Sequence, residues 1–367
     1  MSIQTIVKVR NACGAVAVAL LAACAAPPAG KAPEAPVFPA PPDAARFYFE
    51  RSLYSSADVE PDDKNAGLRR MLTGESRSAE GIAKPYGVAV HQGRVYVTDT
   101  ARRRVSVFDI PRQRFFQIGE ADQGRLGMPL GIDVDGQGQV YVVDSSTKLV
   151  NIYDADGVFQ RSLGGPKAFK RPSGIAVDKA GARVYVVDTG GVTNDEHRVR
   201  VFDARTGNHL LDFGTRGAGD GELNLPRDVA VGRDGMLYVV DGGNFRIQVF
   251  RPDGAFLKTF GGIGRQAGQF SRPKEAAVDA DGNLYVVDAA FGNFQIFNPD
   301  GDLLLAVGRR SERDGMANYM LPSGIALDSD GRVYMVDQYF RKVDVYRPAT
   351  LPAGTGQAVP PRAAPFR

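Results

Sequence analysis

The chain has 367 residues, is 43% hydrophobic and 24% charged, and carries a formal net charge of +3, all ordinary values for a soluble globular protein. So balanced a charge argues against a general polyanion binder. The two cysteines, Cys13 and Cys24, both fall in the first 24 residues, which excludes disulfides, thiol catalysis and cysteine metal sites from the rest of the chain.

In chain order, the first element is an address. Met1–Arg10 carries Lys8 and Arg10, and Ala12–Ala23 is almost wholly apolar with small residues at its end. This pattern predicts a secretory signal over residues 1–23, too short to span and stay in a bilayer. Leu21-Ala22-Ala23-Cys24 resembles a bacterial lipobox, which implies a lipid on Cys24 and anchoring by several acyl chains. Ala25, in place of an Asp, leans the expected location towards the outer membrane. The expectation is an exported chain at the periplasmic face of the outer membrane or in the cell envelope. Residues 24–45 are rich in Ala and Pro and predict an extended tether, up to roughly 60 Å at ~3.1 Å per residue. Residues 351–367 have similar composition and are expected to be a disordered tail.

Residues 46–350 repeat themselves. A Val-Tyr-Val-Asp phrase recurs six times, ending at Asp99, Asp144, Asp188, Asp241, Asp288 and Asp337. A proline opens each unit: Pro85, Pro129, Pro172, Pro226, Pro273 and Pro322. A spacing in the forties to fifties means one supersecondary block per repeat. The fourth unit resolves into four strands, with Arg233-Asp234-Gly235 and Pro252-Asp253-Gly254 as turns. Four antiparallel strands repeated six times predict an all-β, six-bladed β-propeller. The sixth unit stops after its third strand, so an N-terminal strand is expected to close the last blade and remove the open edge. Leu68–Gly74 matches the outer strand Phe256–Gly261 in pattern and is the expected closing strand, with Arg46–Tyr54 a further strand on the periphery.

These units resemble NHL repeats. The resemblance rests on Phe213-Gly214, Gly221-Glu222-Leu223 and Pro226, on Phe260-Gly261, Gly268-Gln269-Phe270 and Pro273, and on Asp241–Phe250. It implies a six-bladed propeller. For function it implies little, since NHL propellers include RNA binders, protein binders, lyases and lipoproteins, and related propellers include lactonases.

The strand-end Asp ring reads as structural: each carboxylate ends a strand where backbone N–H groups need acceptors. His91 and His209 are expected away from the channel, and only His197, in the long loop Gly190–His197, near a binding face. One histidine makes no multi-His metal site. Gly-Xaa-Ser-Xaa-Gly is absent.

The repeats differ after the opening proline. Four units read Tyr86-Gly87, Leu130-Gly131, Ser173-Gly174 and Ser323-Gly324, but two adjacent ones read Arg227-Asp228 and Lys274-Glu275. Those four charged residues are expected to cluster at one mouth of the central channel. The loops between second and third strands open on the same face and carry Arg102-Arg103-Arg104, Phe245, Phe291 and Tyr339, residue types that interfaces favour. The expected binding set is Arg227, Asp228, Lys274, Glu275, Tyr86, Arg103, Phe245, Phe291 and Tyr339. This reads as a monomeric, tethered binding or scaffold lipoprotein for an envelope protein, peptide or glycan, without nucleic acid, cofactor or catalytic residues. The alternative is a hydrolase or lyase with a Ca²⁺-assisted carboxylate site at Asp228 and Glu275.

Overall fold

The computed structural model describes residues 34–61, 71–72, 79–191 and 193–359. Met1–Ala35 is separate from a compact unit, Pro36–Arg367, and every described strand belongs to that unit.

The compact unit is a six-bladed β-propeller of antiparallel four-stranded blades. Blade four shows the pattern: Asp228–Val231, Leu237–Asp241, Arg246–Phe250 and Phe256–Gly261, from channel to rim. The second strand, Leu-Tyr-Val-Val-Asp, is buried throughout, because it packs against a blade on either side. The core accordingly lies between blades. One cluster joins Tyr185, Val187 and Val199 of blade three to Val229, Leu237 and Val239 of blade four.

Blade six is closed from the N-terminal side, as its missing fourth strand requires, but the closing strand is Phe47–Leu53. It pairs antiparallel with Lys342–Pro348, Arg51 opposite Val345 and Leu53 opposite Val343. The expectation that Leu68–Gly74 plays this part is corrected. Most of that stretch lies outside the described residues, and its described members Met71 and Leu72 are helical and exposed. Both segments alternate, but only Phe47–Leu53 fills two seams. Phe47 and Phe49 join the core between blades five and six, and Leu53 joins the one between blades six and one. A short strand, Val37–Phe38, pairs outside it.

Leu351–Val359 also packs on the body. The Gln357 N–H donates to Asp330 at 2.6 Å, and Ala358 is buried in the seam of blades six and one.

Each inner strand starts at the face bearing the second-to-third strand loops and ends at the opposite face. Pro85 pairs with Asp99 at one end of blade one, and His91 with Arg94 at the other. This topology fixes which residues can meet at each end of the channel.

Candidate functional site

The strand-end aspartates set the upper end. All six are fully buried and accept backbone N–H groups from the segment before the opening proline, and Asp99, Asp144, Asp288 and Asp337 also from their own loop. Asp188 accepts from Arg171 at 2.7 Å. Asp288 accepts from Ser271 at 2.7 Å, Arg272 at 2.9 Å and Ala290 at 2.8 Å. The ring therefore pins the backbone of Arg171 and Arg272 at the mouth of the channel. Neither residue stands out in the sequence. The signal was available: the position before the opening proline reads Lys84, Met128, Arg171, Leu225, Arg272 and Leu321 around the ring.

Arg227 and Lys274 stand next to them, half-buried, while Arg171 and Arg272 are exposed. The Arg227 stem lies against Gly242, where a Cβ would come within 2.6 Å of Arg227 Cγ. Its carbonyl oxygen accepts from the Ser173 hydroxyl at 3.1 Å. No carboxylate lies within ion-pair distance of Arg171, Arg227, Arg272 or Lys274 among the described residues. Burial, then the charges of Arg272 and Arg227, pull the Lys274 ammonium down to about 8, with Glu275 countering in part. Burial, with Arg171 and Arg272 adding to it, also lowers Arg227. Tyr86 reaches in from blade one; burial first, then the charge of Glu275, holds its hydroxyl well above the ordinary range.

Asp228 and Glu275 point away from this rim, into the channel. They line a cavity of about 1340 Å³, together with Asp133, Lys179 and His91. That cavity runs to the turns between first and second strands, on the opposite face. The expected cluster of Arg227, Asp228, Lys274 and Glu275 is thus split by depth: cations at the rim, carboxyls at the inner end of the cavity. His91 lines this cavity as well, contrary to its expected place away from the channel.

The carboxyls clasp neighbouring blades. Asp133 accepts from the Val177 N–H at 2.8 Å, and Asp228 from the Ala276 N–H at 3.0 Å. Glu275 Oε1 is shielded from solvent and unpartnered. Burial pushes Asp228 up to about 7, against the pull of backbone N–H groups from Ala276, Val229 and Ile175. Burial and the nearby Asp228 hold Glu275 well above the carboxylate range. Both carboxyls are thus shifted towards the protonated form, which works against a hard dication. Among the described residues no group of three or more His, Cys, Asp or Glu is arranged to hold a metal.

His197 is buried. Its Nδ1 accepts from the Leu225 N–H at 3.1 Å and its Nε2 lies 2.9 Å from the Gly191 carbonyl oxygen, so it braces the long loop. His209 pairs with Asp212 at 2.7 Å. Among the loop residues, Phe245 packs on the core between blades four and five and Phe291 is half-buried. Arg103 is exposed, as is Tyr339 at 60%. Cys24 lies outside the described residues.

The arrangement defines a class: a six-bladed propeller whose channel has a cationic end and a carboxyl-lined end. Residues 223–250, from the lead into blade four through its third strand, match the NHL repeat family model, so the chain is a propeller that carries an NHL repeat. The E3 ubiquitin-protein ligase TRIM71 of Rattus norvegicus is 39% identical over 69 residues, 18% of this chain and 8% of that protein. This chain therefore spans less than a tenth of that relative's length. Among solved structures, a protein of unknown function from Bacteroides thetaiotaomicron superposes with a TM-score of 0.57 at 19% identity, covering 81% of this chain and 75% of that one. A gluconolactonase from Xanthomonas campestris superposes with a TM-score of 0.56 at 18% identity, covering 82% and 98%. At these identities the likeness is one of fold.

Proposed function

We propose that this chain is a binding or scaffold propeller, exported and tethered through a lipid on Cys24, which presents its loop-bearing face to an envelope protein, peptide or glycan. One observation carries the reading. The same position in the second-to-third strand loops is left-handed in five blades, at Arg103, Lys148, Phe245, Gly292 and Arg341. In blade five a Cβ there would lie 2.5 Å from the Arg310 backbone, so glycine is required. Three other blades accept about 1 kcal/mol of strain each to hold a cation there: exposed Arg103 and Arg341, and half-buried Lys148. On the opposite face, among the described residues, left-handed non-glycine positions occur in blade one alone, at Gln92 and Gln113, so a strained position repeated from blade to blade sets the loop face apart as the one in use.

The test is site-specific photo-crosslinking in envelope extract. Probes replacing Arg103, Lys148 and Tyr339 should give a discrete adduct. Probes at Asp156, Arg205 and Asp300, in the turns of the opposite face, should give none. Adducts from both faces alike, or from neither, sink the reading.

The alternative is a hydrolase or lyase working through Asp228 and Glu275, and the shift of both towards the protonated form is in its favour. Thermal stabilisation by Ca²⁺ that disappears in Asp228→Asn would favour it over a binder.

A further inference from the structure

We propose that the cationic channel mouth receives an acidic peptide segment, whose side-chain carboxylates are taken by Arg171, Arg227, Arg272 and Lys274 with Tyr86 on the facing wall. The inference rests on the binding reading above and names the chemistry of the partner at that face.

Charge pairing carries it. Elsewhere in the unit, buried cations find carboxylates: Arg94 with Asp109 at 2.9 Å, Arg332 with Glu50 at 2.7 Å and Lys342 with Asp344 at 3.0 Å. At the mouth, four cations from three adjacent blades share one opening and have none within reach among the described residues. The carboxyls beneath, Asp228 and Glu275, line the cavity instead of the rim and offset the cations only in part. Like charges crowded in a half-buried place cost free energy that an incoming anion removes.

The site is also preorganised. Asp188 and Asp288 fix the backbone of Arg171 and Arg272, and the Val240 carbonyl fixes that of Arg227 at 2.9 Å. The backbone that carries these side chains therefore needs no ordering on binding. Guanidinium groups accept carboxylates in a two-pronged geometry.

A peptide fits better than a nucleic acid or a membrane. The cations sit in a ring-shaped opening, not along a flat stripe. Apolar residues share the equivalent positions, Met128, 46% exposed, and half-buried Leu130, Leu225 and Leu321, beside exposed Lys84. Carboxylates interspersed with apolar side chains match that mixture.

The experiment uses the full-length protein and fluorescein-labelled hexaglutamate, read by anisotropy at low salt. Unlabelled hexaglutamate, hexaglutamine, polyphosphate and phosphatidylglycerol vesicles serve as competitors. Binding is expected to weaken at least tenfold in Arg227→Gln/Lys274→Gln and in Arg171→Gln/Arg272→Gln, with Arg205→Gln/Arg251→Gln, exposed in turns of the opposite face, within twofold of the parent. The second pair is exposed, so a folding defect in the first leaves a clean variant. Equal binding by both double variants overturns the proposal, as does displacement by hexaglutamine at equal concentration. So does tenfold better displacement by polyphosphate or by vesicles, at equal charge, than by unlabelled hexaglutamate. No hexaglutamate binding with face-specific crosslinks intact removes the mouth assignment and leaves the binding reading. Hexaglutamate binding with no face-specific crosslinks does the reverse.

Discussion

The closing seam of blade six and the mouth between blades three and five use the same residue types in opposite ways. In the seam every buried cation is matched. Arg332, with no exposed side chain, meets Glu50 of the closing strand at 2.7 Å and Asp330 at 3.1 Å, and donates to the Thr355 carbonyl. Lys342, equally buried, meets Asp344, whose carboxylate accepts from Ser52 of the closing strand at 2.6 Å. At the mouth the cations are unmatched. Removing one partner of a buried pair strands a charge, so the seam's charges serve the fold. Removing an unmatched cation strands nothing, so the mouth's charges are free to serve a ligand.

The largest test of this contrast is deletion of Pro36–Tyr54. Without Phe47, Phe49 and Leu53 two seams lose their fill, and blade six regains an open edge. The expected outcome is loss of a single cooperative melt in calorimetry. Next, Arg332→Ala should destabilise by about 3–5 kcal/mol, measured by urea unfolding, because Glu50 and Asp328 would stay behind without their cation. Asp288→Ala should cost about 1–3 kcal/mol through the unpaired N–H groups it leaves. It should also weaken hexaglutamate binding by releasing Arg272, an effect outside the reach of a purely structural aspartate.

A smaller effect concerns pH. Asp228 is raised to about 7 in the folded state and titrates lower when unfolded, at ~3.9. Between those values the folded chain holds more protons, so stability falls as pH rises through the window. Asp228→Asn keeps an acceptor for the Ala276 N–H and removes the titration. The melting temperature of the variant should vary less with pH between about 4 and 7. Least of all, Arg227→Gln/Lys274→Gln should leave stability within about 0.5 kcal/mol of the parent while weakening hexaglutamate binding at least tenfold. A loss as large as that of Arg332→Ala would mean that the mouth is part of the fold after all.

The blade count and the role of the strand-end aspartates were legible because each signal recurs six times. An inner strand needs a proline start, a doubly buried second strand and a carboxylate at its end whichever blade it serves. The closing strand was legible in kind and wrong in place. Leu68–Gly74 and Phe47–Leu53 carry similar alternation, and the choice between them depends on which side chains fill the seams beside blades five and one. Arg227 and Lys274 stood out as departures from the repeat. Arg171 and Arg272 did not, since an exposed arginine before a proline is unremarkable until the ring closes.

The sequence by itself determined the propeller, because hydrophobic periodicity and turn chemistry are local and repeat in every unit. It also determined which blades break the pattern. Only the tertiary structure decided that sequence neighbours at the start of an inner strand part company, Arg227 to the rim and Asp228 to the cavity. Neighbouring side chains on a strand leave on opposite sides, and which side is rim and which is channel is set by the tilt of each blade about a common axis. The same closure brought four cations from three blades together without a partner among them.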